Sequence, residues 1–245
     1  MKLRALFVAL CLTFLFTGCS ETIGDITGNR AGSTPSGGAA AVRGGNDIHE
    51  SPYFKKFDFH KLSLQGTLTI LHDFPTMQQN TPYSCGPVAA LMVIRYFDPD
   101  TTVSEMDLCS MMGTSKLSGT TTKGMTSYFD KDKWIVESSL TDPTPHTDKE
   151  FKKFVLNHLK NNMPIIVENI DWGGHWRVII GYDDMGKETT GNDVLIMADP
   201  YDTTDHYQDG YSVEPAQKFY YMWFDAKLFN KQERDKPWLS VKPKQ

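Results

Sequence analysis

Gln79-Asn80-Thr81-Pro82-Tyr83-Ser84-Cys85-Gly86-Pro87-Val88-Ala89-Ala90-Leu91-Met92-Val93-Ile94-Arg95-Tyr96-Phe97 is a polar loop that ends in a cysteine and runs into an apolar segment. Ser84 and Gly86 suit the turn into a helix, and Pro87 falls in the first turn, where a missing amide proton does no harm. Val88 to Phe97 is apolar on nearly every face, which predicts a central helix buried all round. A cysteine at such a helix start lies at the positive end of the macrodipole. Unpaired backbone amides there favour thiolate over thiol and make a nucleophile near neutral pH. Gln79, six residues earlier, is within reach to donate its side-chain amide to an oxyanion beside that sulfur, and Gln78 is the alternative donor.

Outward from this helix, Thr67 to Leu71 reads as a strand leading into the Gln79 loop. Asp98-Pro99-Asp100 ends the helix, Val103 to Met112 is a second short helix stopped at Gly113, and Gly119 to Phe129 is a polar loop opening a third. Thr147-Asp148-Lys149-Glu150 is a capping box, after which Phe151, Phe154, Val155, His158 and Leu159 share one helical face. Three β-branched strands follow, Pro164–Ile170, His175–Asp183 and Val194–Pro200, joined by turns at Gly173-Gly174 and Asp184-Met185-Gly186. These predict an antiparallel meander, with a last strand at Lys218–Trp223 and a short helix at Asp225–Phe229. The fold class expected is α+β: a helical N-terminal part, with the cysteine's helix at its centre, packed on a C-terminal antiparallel sheet.

A thiol nucleophile needs a nearby base, and the base needs a third group to fix its tautomer and stabilise the imidazolium. His175 opens one strand after a glycine turn and Asp199 ends the next, so antiparallel pairing brings the two ends side by side. Asp183, in the turn beyond the strand that carries His175, competes with Asp199 for the orienting role. Trp172 and Trp176 flank the turn, with Gly174 between them, and either wall a substrate groove or belong to the core. Asp202, Asp205, His206 and Asp209 form an acidic loop without EF-hand spacing, expected to be solvated, and a zinc site from Cys85, His175 and His206 lacks ligand spacing.

Gln79 with Cys85-Gly86-Pro87, then Gly119-Thr120, then Gly174-His175-Trp176 to Asp183, then Ala198-Asp199-Pro200, resembles the C39-like peptidases of the papain-like cysteine protease group, over roughly residues 70 to 225. The resemblance implies a papain-like fold. It also implies that Gln79, Cys85, His175 and Asp199 are oxyanion glutamine, nucleophile, base and orienting aspartate, with no cofactor. Well-known members are fused to transporters and remove double-glycine leaders. This chain is expected to have no fused transporter, and its substrate is expected to be a peptide or protein of another kind.

Met1-Lys2-Leu3-Arg4 followed by Ala5 to Phe16 has the basic and apolar regions of an export signal. It ends in Leu15-Phe16-Thr17-Gly18-Cys19, which resembles a bacterial lipobox with Phe16 in place of the usual aliphatic residue; Cys19 would carry lipid, and Ser20 after it would direct the protein to an outer membrane. The expected organisation is a signal peptide at 1–18, a Gly/Ser-rich flexible linker at 19–46 and the peptidase domain at 47–245, held about 30 Å from a bacterial envelope membrane by its tether. Gly44-Gly45 in that linker is expected by chance. Of four cysteines, Cys85 and Cys109 remain in the domain, as free thiols or as a disulfide. A net charge of −5 with dispersed acids excludes an electrostatic nucleic-acid surface. The leading function is an envelope-tethered cysteine peptidase acting through an acyl-enzyme. The alternatives are a Cys-dependent acyltransferase, as in phytochelatin-synthase-like relatives, and a catalytically silent peptide-binding lipoprotein.

Overall fold

The apolar run after Cys85 folds as α1 (Cys85–Phe97), in which every residue from Cys85 to Ile94 is buried. Val88 to Val93 have no exposure at all, as an all-round apolar sequence requires. Each large side chain removed from water there contributes about 1.5–3 kcal/mol, so α1 is the axis on which the rest packs. The computed structural model describes residues 51–203 and 205–244, all within one compact unit, Ser33–Gln245. The export signal, Cys19 and the linker to residue 46 lie outside the described residues.

Behind α1 stands one sheet whose pairings are all antiparallel. Its strands are β1 (Leu68–Ile70), β2 (Trp134–Ser138), β3 (Ile165–Asn169), β4 (His175–Asp183), β5 (Val194–Ala198), β6 (Tyr211–Pro215) and β7 (Trp238–Pro243), in the order β2-β7-β3-β4-β5-β6 with β1 also on β4. The β-branched runs fill its middle. β4 is buried from His175 to Tyr182, β3 pairs with it from Ile165↔Ile179 to Asn169↔His175, and β1 takes up the same edge from Gly181 onward. The α+β expectation is met, with the cysteine's helix packed on the antiparallel sheet.

The other helices follow their caps. α2 (Glu105–Met111) starts at a Ser104–Asp107 capping box, and α3 (Thr122–Tyr128) has the Thr121 hydroxyl accepting from the Gly124 amide. At α4 (Asp148–Lys160) the Thr147 hydroxyl accepts from the Glu150 amide, while the Glu150 carboxylate reaches back to His146 N rather than to Thr147 N. Phe151, Val155, His158 and Leu159 of α4 are buried as its periodicity requires. His158 satisfies both ring nitrogens locally, on Phe154 O at 2.8 Å and Glu137 Oε2 at 3.1 Å.

The C-terminal quarter departs from expectation. Lys218–Trp223, read as a strand from its aromatics, lies in helix α5 (Ala216–Met222) and its C-cap, because Ala216, Phe219 and Tyr220 fall at i, i+3 and i+4 and bury one face. Asp225–Phe229 is a loop, not a helix: the Asp225 carboxylate accepts from the amides of Leu228 and Phe229 at 3.0 and 2.8 Å, and Lys227 has φ 73°. Strands β2, β6 and β7 are additional to the expected elements. β6 is a sheet-edge strand buried only at Tyr211 and Ser212, and β7 is bounded by Pro237 and Pro243, which mask a strand that inserts between β2 and β3.

Candidate functional site

β4 and β5 run antiparallel with Val178 opposite Ala198, so the residues just beyond that pair, His175 and Asp199, come together at the sheet end that faces the start of α1. His175 Nε2 lies 2.7 Å from Asp199 Oδ1, and both residues are 3% exposed, which shields the pair from solvent screening. Asp199 is held from several sides: Oδ1 also accepts from Tyr201 N at 2.8 Å, Oδ2 accepts from Ser212 Oγ at 3.4 Å, and Arg177 Nη1 stands 3.9 Å away. Arg177 shares a face of β4 with His175, two residues on, and its other partners are Asp171 at 2.9 Å and Glu214 at 2.8 Å. Asp183, the competing orienting residue, sits at the opposite end of β4, where its carboxylate accepts from Met185 N.

Charge on His175 is opposed most strongly by burial. The neighbouring Asp199 charge and hydrogen bond, with Cys85 beside the ring, together outweigh that and raise the imidazole from 6.5 to about 9. For Asp199, burial again opposes ionisation, but the His175 and Arg177 charges and the Tyr201 amide hold it below the usual carboxylate range. With Nε2 committed to Asp199, Nδ1 is the nitrogen left for the sulfur. The arrangement suits proton exchange between a thiol and an imidazole whose orientation is fixed.

The loop before α1 is braced by Glu105 of α2. Its carboxylate accepts from Asn80 N at 3.0 Å, Asn80 Nδ2 at 2.5 Å and Ser84 Oγ at 2.5 Å. Ser84 is the N-cap residue of α1 but makes no side-chain cap, so its hydroxyl leaves the first-turn amides beside Cys85 free of a capping side chain. Gln79 is 2% exposed; its backbone amide donates to Pro200 O at 2.9 Å, next to Asp199, and its Nε2 donates to Thr81 O at 2.7 Å. One Nε2 proton therefore remains for another acceptor. Gln78 is also buried, and neither of its amide atoms has a partner among the described residues.

A pocket of about 140 Å³ opens at Cys85, walled by the loop through Gly119 and Thr120 on one side and by Trp172, Gly174 and Trp176 on the other. The two tryptophans differ. Trp172 is 66% exposed at φ 56° on the rim, its ring tilted against Tyr201 at 5.6 Å, whereas Trp176 is 1% exposed and donates its indole N–H to Thr120 O at 2.8 Å. Trp176 is thus a strut between the two walls. Gly174 has φ 141°, and a Cβ there would stand 2.8 Å from Leu228 Cδ1 and 3.0 Å from Glu168 Oε1. Gly174→Ala is expected to destabilise by about 1–3 kcal/mol and to misplace His175, a change read from the denaturation midpoint.

Cys85 and Cys109 are both free and buried, so the disulfide alternative is not what the fold contains. Burial, then the Glu105 charge, pushes the Cys109 thiol up to about 11, which makes it inert. The acidic loop is not simply solvated: Asp202 is fully buried and accepts from Gly210 N at 3.0 Å, and burial with Asp205, Asp199 and Asp209 nearby raises it to about 8. His206 turns away to Ser51 Oγ at 2.8 Å, and among the described residues no group of three His, Cys, Asp or Glu is placed to hold a metal. Arg177, Tyr201 and Glu168 were not singled out from the sequence. Arg177 lies two positions from His175 and so shares its strand face, but the other two carry no motif.

No curated protein matches the chain. Among solved structures, it is similar to the peptidase domain of Streptococcus ComA, a bi-functional ABC transporter involved in a quorum sensing pathway, at 17% identity and a TM-score of 0.44, over 69% of this chain and 97% of that one. The family model described as Peptidase_C39 like matches residues 71–227, close to the span that holds the motifs. That match covers the loop and helix of Cys85, the strands of His175 and Asp199, and most of the pocket, and by it the chain belongs to the Peptidase_C39 like family.

Proposed function

We propose that this protein is a cysteine peptidase tethered to a bacterial cell envelope, which hydrolyses peptide bonds through an acyl-enzyme. The observation that supports this most is the buried His175, held 2.7 Å from Asp199 on one nitrogen with Cys85 beside the ring. Cys85 attacks the scissile carbonyl after passing its proton to His175; the tetrahedral oxyanion is held by the Cys85 backbone amide and the free Nε2 proton of Gln79; His175 then protonates the leaving amine. A water molecule, activated by the now neutral His175, releases the acyl group and restores the thiol. Asp199 keeps the ring in the tautomer that these transfers need. Tethering rests on Met1 to Cys19, which has the pattern of a lipoprotein signal.

Peptide substrate incubated with the protein in the presence and absence of glycine-type amine acceptors tests the reaction class by product mass. Free carboxylate products in both arms support hydrolysis, acceptor-adducted products support acyl transfer, and intact peptide with no product would leave a binding protein. Gln79→Ala is expected to lower kcat by about 10²–10³ with a smaller change in KM, as the loss of one oxyanion donor does. A normal kcat would remove Gln79 from the site. Intact mass of the mature protein reads the N-terminus, and a lipidated Cys19 is the expected result.

A further inference from the structure

Glu168 is the one acid of β3, and it is 1% exposed. Neither of its carboxyl oxygens has a hydrogen-bond partner among the described residues. It lines the same pocket as Cys85, with Oε1 lying against Gly174. Buried carboxyl groups without partners are costly and rare, and one aimed into a cavity beside a nucleophile points to a ligand group that completes it. The mouth above it carries three exposed apolar side chains beside Lys116: Leu117 is 94% exposed, Trp172 66% and Leu228 44%, all on the pocket lining. An apolar collar over a single acid matches a long aliphatic stem that ends in a cation. Lys116 at the rim makes no ion pair with Glu168 among the described residues, so the chain does not fill the place itself.

We propose that this pocket is a specificity site for a lysine or arginine side chain of the substrate, whose stem packs between Leu117, Trp172 and Leu228 and whose charged end binds Glu168. The proposal rests on the cysteine peptidase assignment above, because it treats the pocket as the place where a substrate residue lies while Cys85 attacks. Burial, then the charges of Asp225 and Cys85, raises Glu168 to about 9, with Lys116 the one basic side chain on the pocket lining. The empty site is therefore protonated at neutral pH. Binding a cation drives the proton off, and preference for basic residues should rise as pH climbs towards 9.

The test uses peptidyl vinyl sulfones carrying lysine, arginine, norleucine or glutamate at one position at a time, with the rate of Cys85 modification followed by intact mass and divided by that protein's own rate with iodoacetamide. Lysine or arginine at one fixed position should react about 10- to 100-fold faster than norleucine, the worth of one charge-assisted hydrogen bond, and the ratio should fall to about 1 in Glu168→Gln. No preference over norleucine at any position in the wild-type protein, or a preference that survives in Glu168→Gln, would overturn the proposal; the first needs no variant to fold. If iodoacetamide and every peptide leave Cys85 unmodified, the peptidase assignment fails instead. Binding of acetyl-lysine amide against acetyl-norleucine amide, measured by ligand-observed NMR, then decides the pocket by the same two outcomes.

Discussion

Cys85→Ala is expected to lose peptide hydrolysis by on the order of 10⁶-fold, and with it all labelling of the domain by thiol-directed electrophiles. The labelling result is clean because of Cys109. That thiol is 6% exposed and pushed up to about 11, so it stays protonated at the pH of the experiment and does not stand in for the missing sulfur. Cysteine and alanine differ little in size, and Cys85 sits at a helix start rather than deep in the core, so the unfolding midpoint should move little. Peptide mapping separates the domain from Cys19. Persistent labelling within residues 51–244 of Cys85→Ala would show that the reactive group is another residue.

Asp199→Ala is expected to lower kcat by roughly 10³–10⁴, because His175 loses the partner that fixes its tautomer. The sign of the pH change follows from the opposing influences on the ring. In the wild-type protein Asp199, together with Cys85, outweighs burial and raises His175 to about 9, so the imidazolium form persists through neutral pH and is lost as pH rises through that value. The stability from this pairing is fully present below the ordinary value of 6.5 and disappears between there and about 9. Without Asp199 two of the influences that raise the ring are lost while burial still opposes its charge, so it titrates below the wild-type value of about 9. The alkaline limb of kcat/KM should move acidward, and the fall in unfolding midpoint from pH 6.5 to 9 should flatten. An unchanged limb would mean that another group sets it.

The parts of this fold that can be read from sequence are those where one local signal has no rival. α1 is apolar on every face and long enough to exclude a strand, α4 has a cap followed by a single apolar stripe, and β3 to β5 are β-branched between turns. In Lys218–Trp223 two signals conflict: the aromatic residues favour strand, while Ala216, Phe219 and Tyr220 have helical spacing, and packing against α4 through Phe151 decides for helix. The same contrast divides the site. Cys85, His175 and Asp199 each stand at the end of an element that the sequence marks. Glu168 looks like any solvent-facing acid in a strand until Gly174, Trp176 and Leu228 close over it, and Arg177 acquires Glu214 as a partner only when β6 pairs with β5.

The most direct test of a nucleophilic Cys85 is to trap its covalent intermediate. Wild-type protein is mixed with an activated peptide ester, quenched in acid within the first turnover, digested and mapped by mass spectrometry. An increment equal to the acyl half of the substrate, on the peptide that carries Cys85 and absent from Cys85→Ala, is the expected result. Hydrolysis that proceeds with no adduct on Cys85, or with the adduct on another residue, would contradict the account.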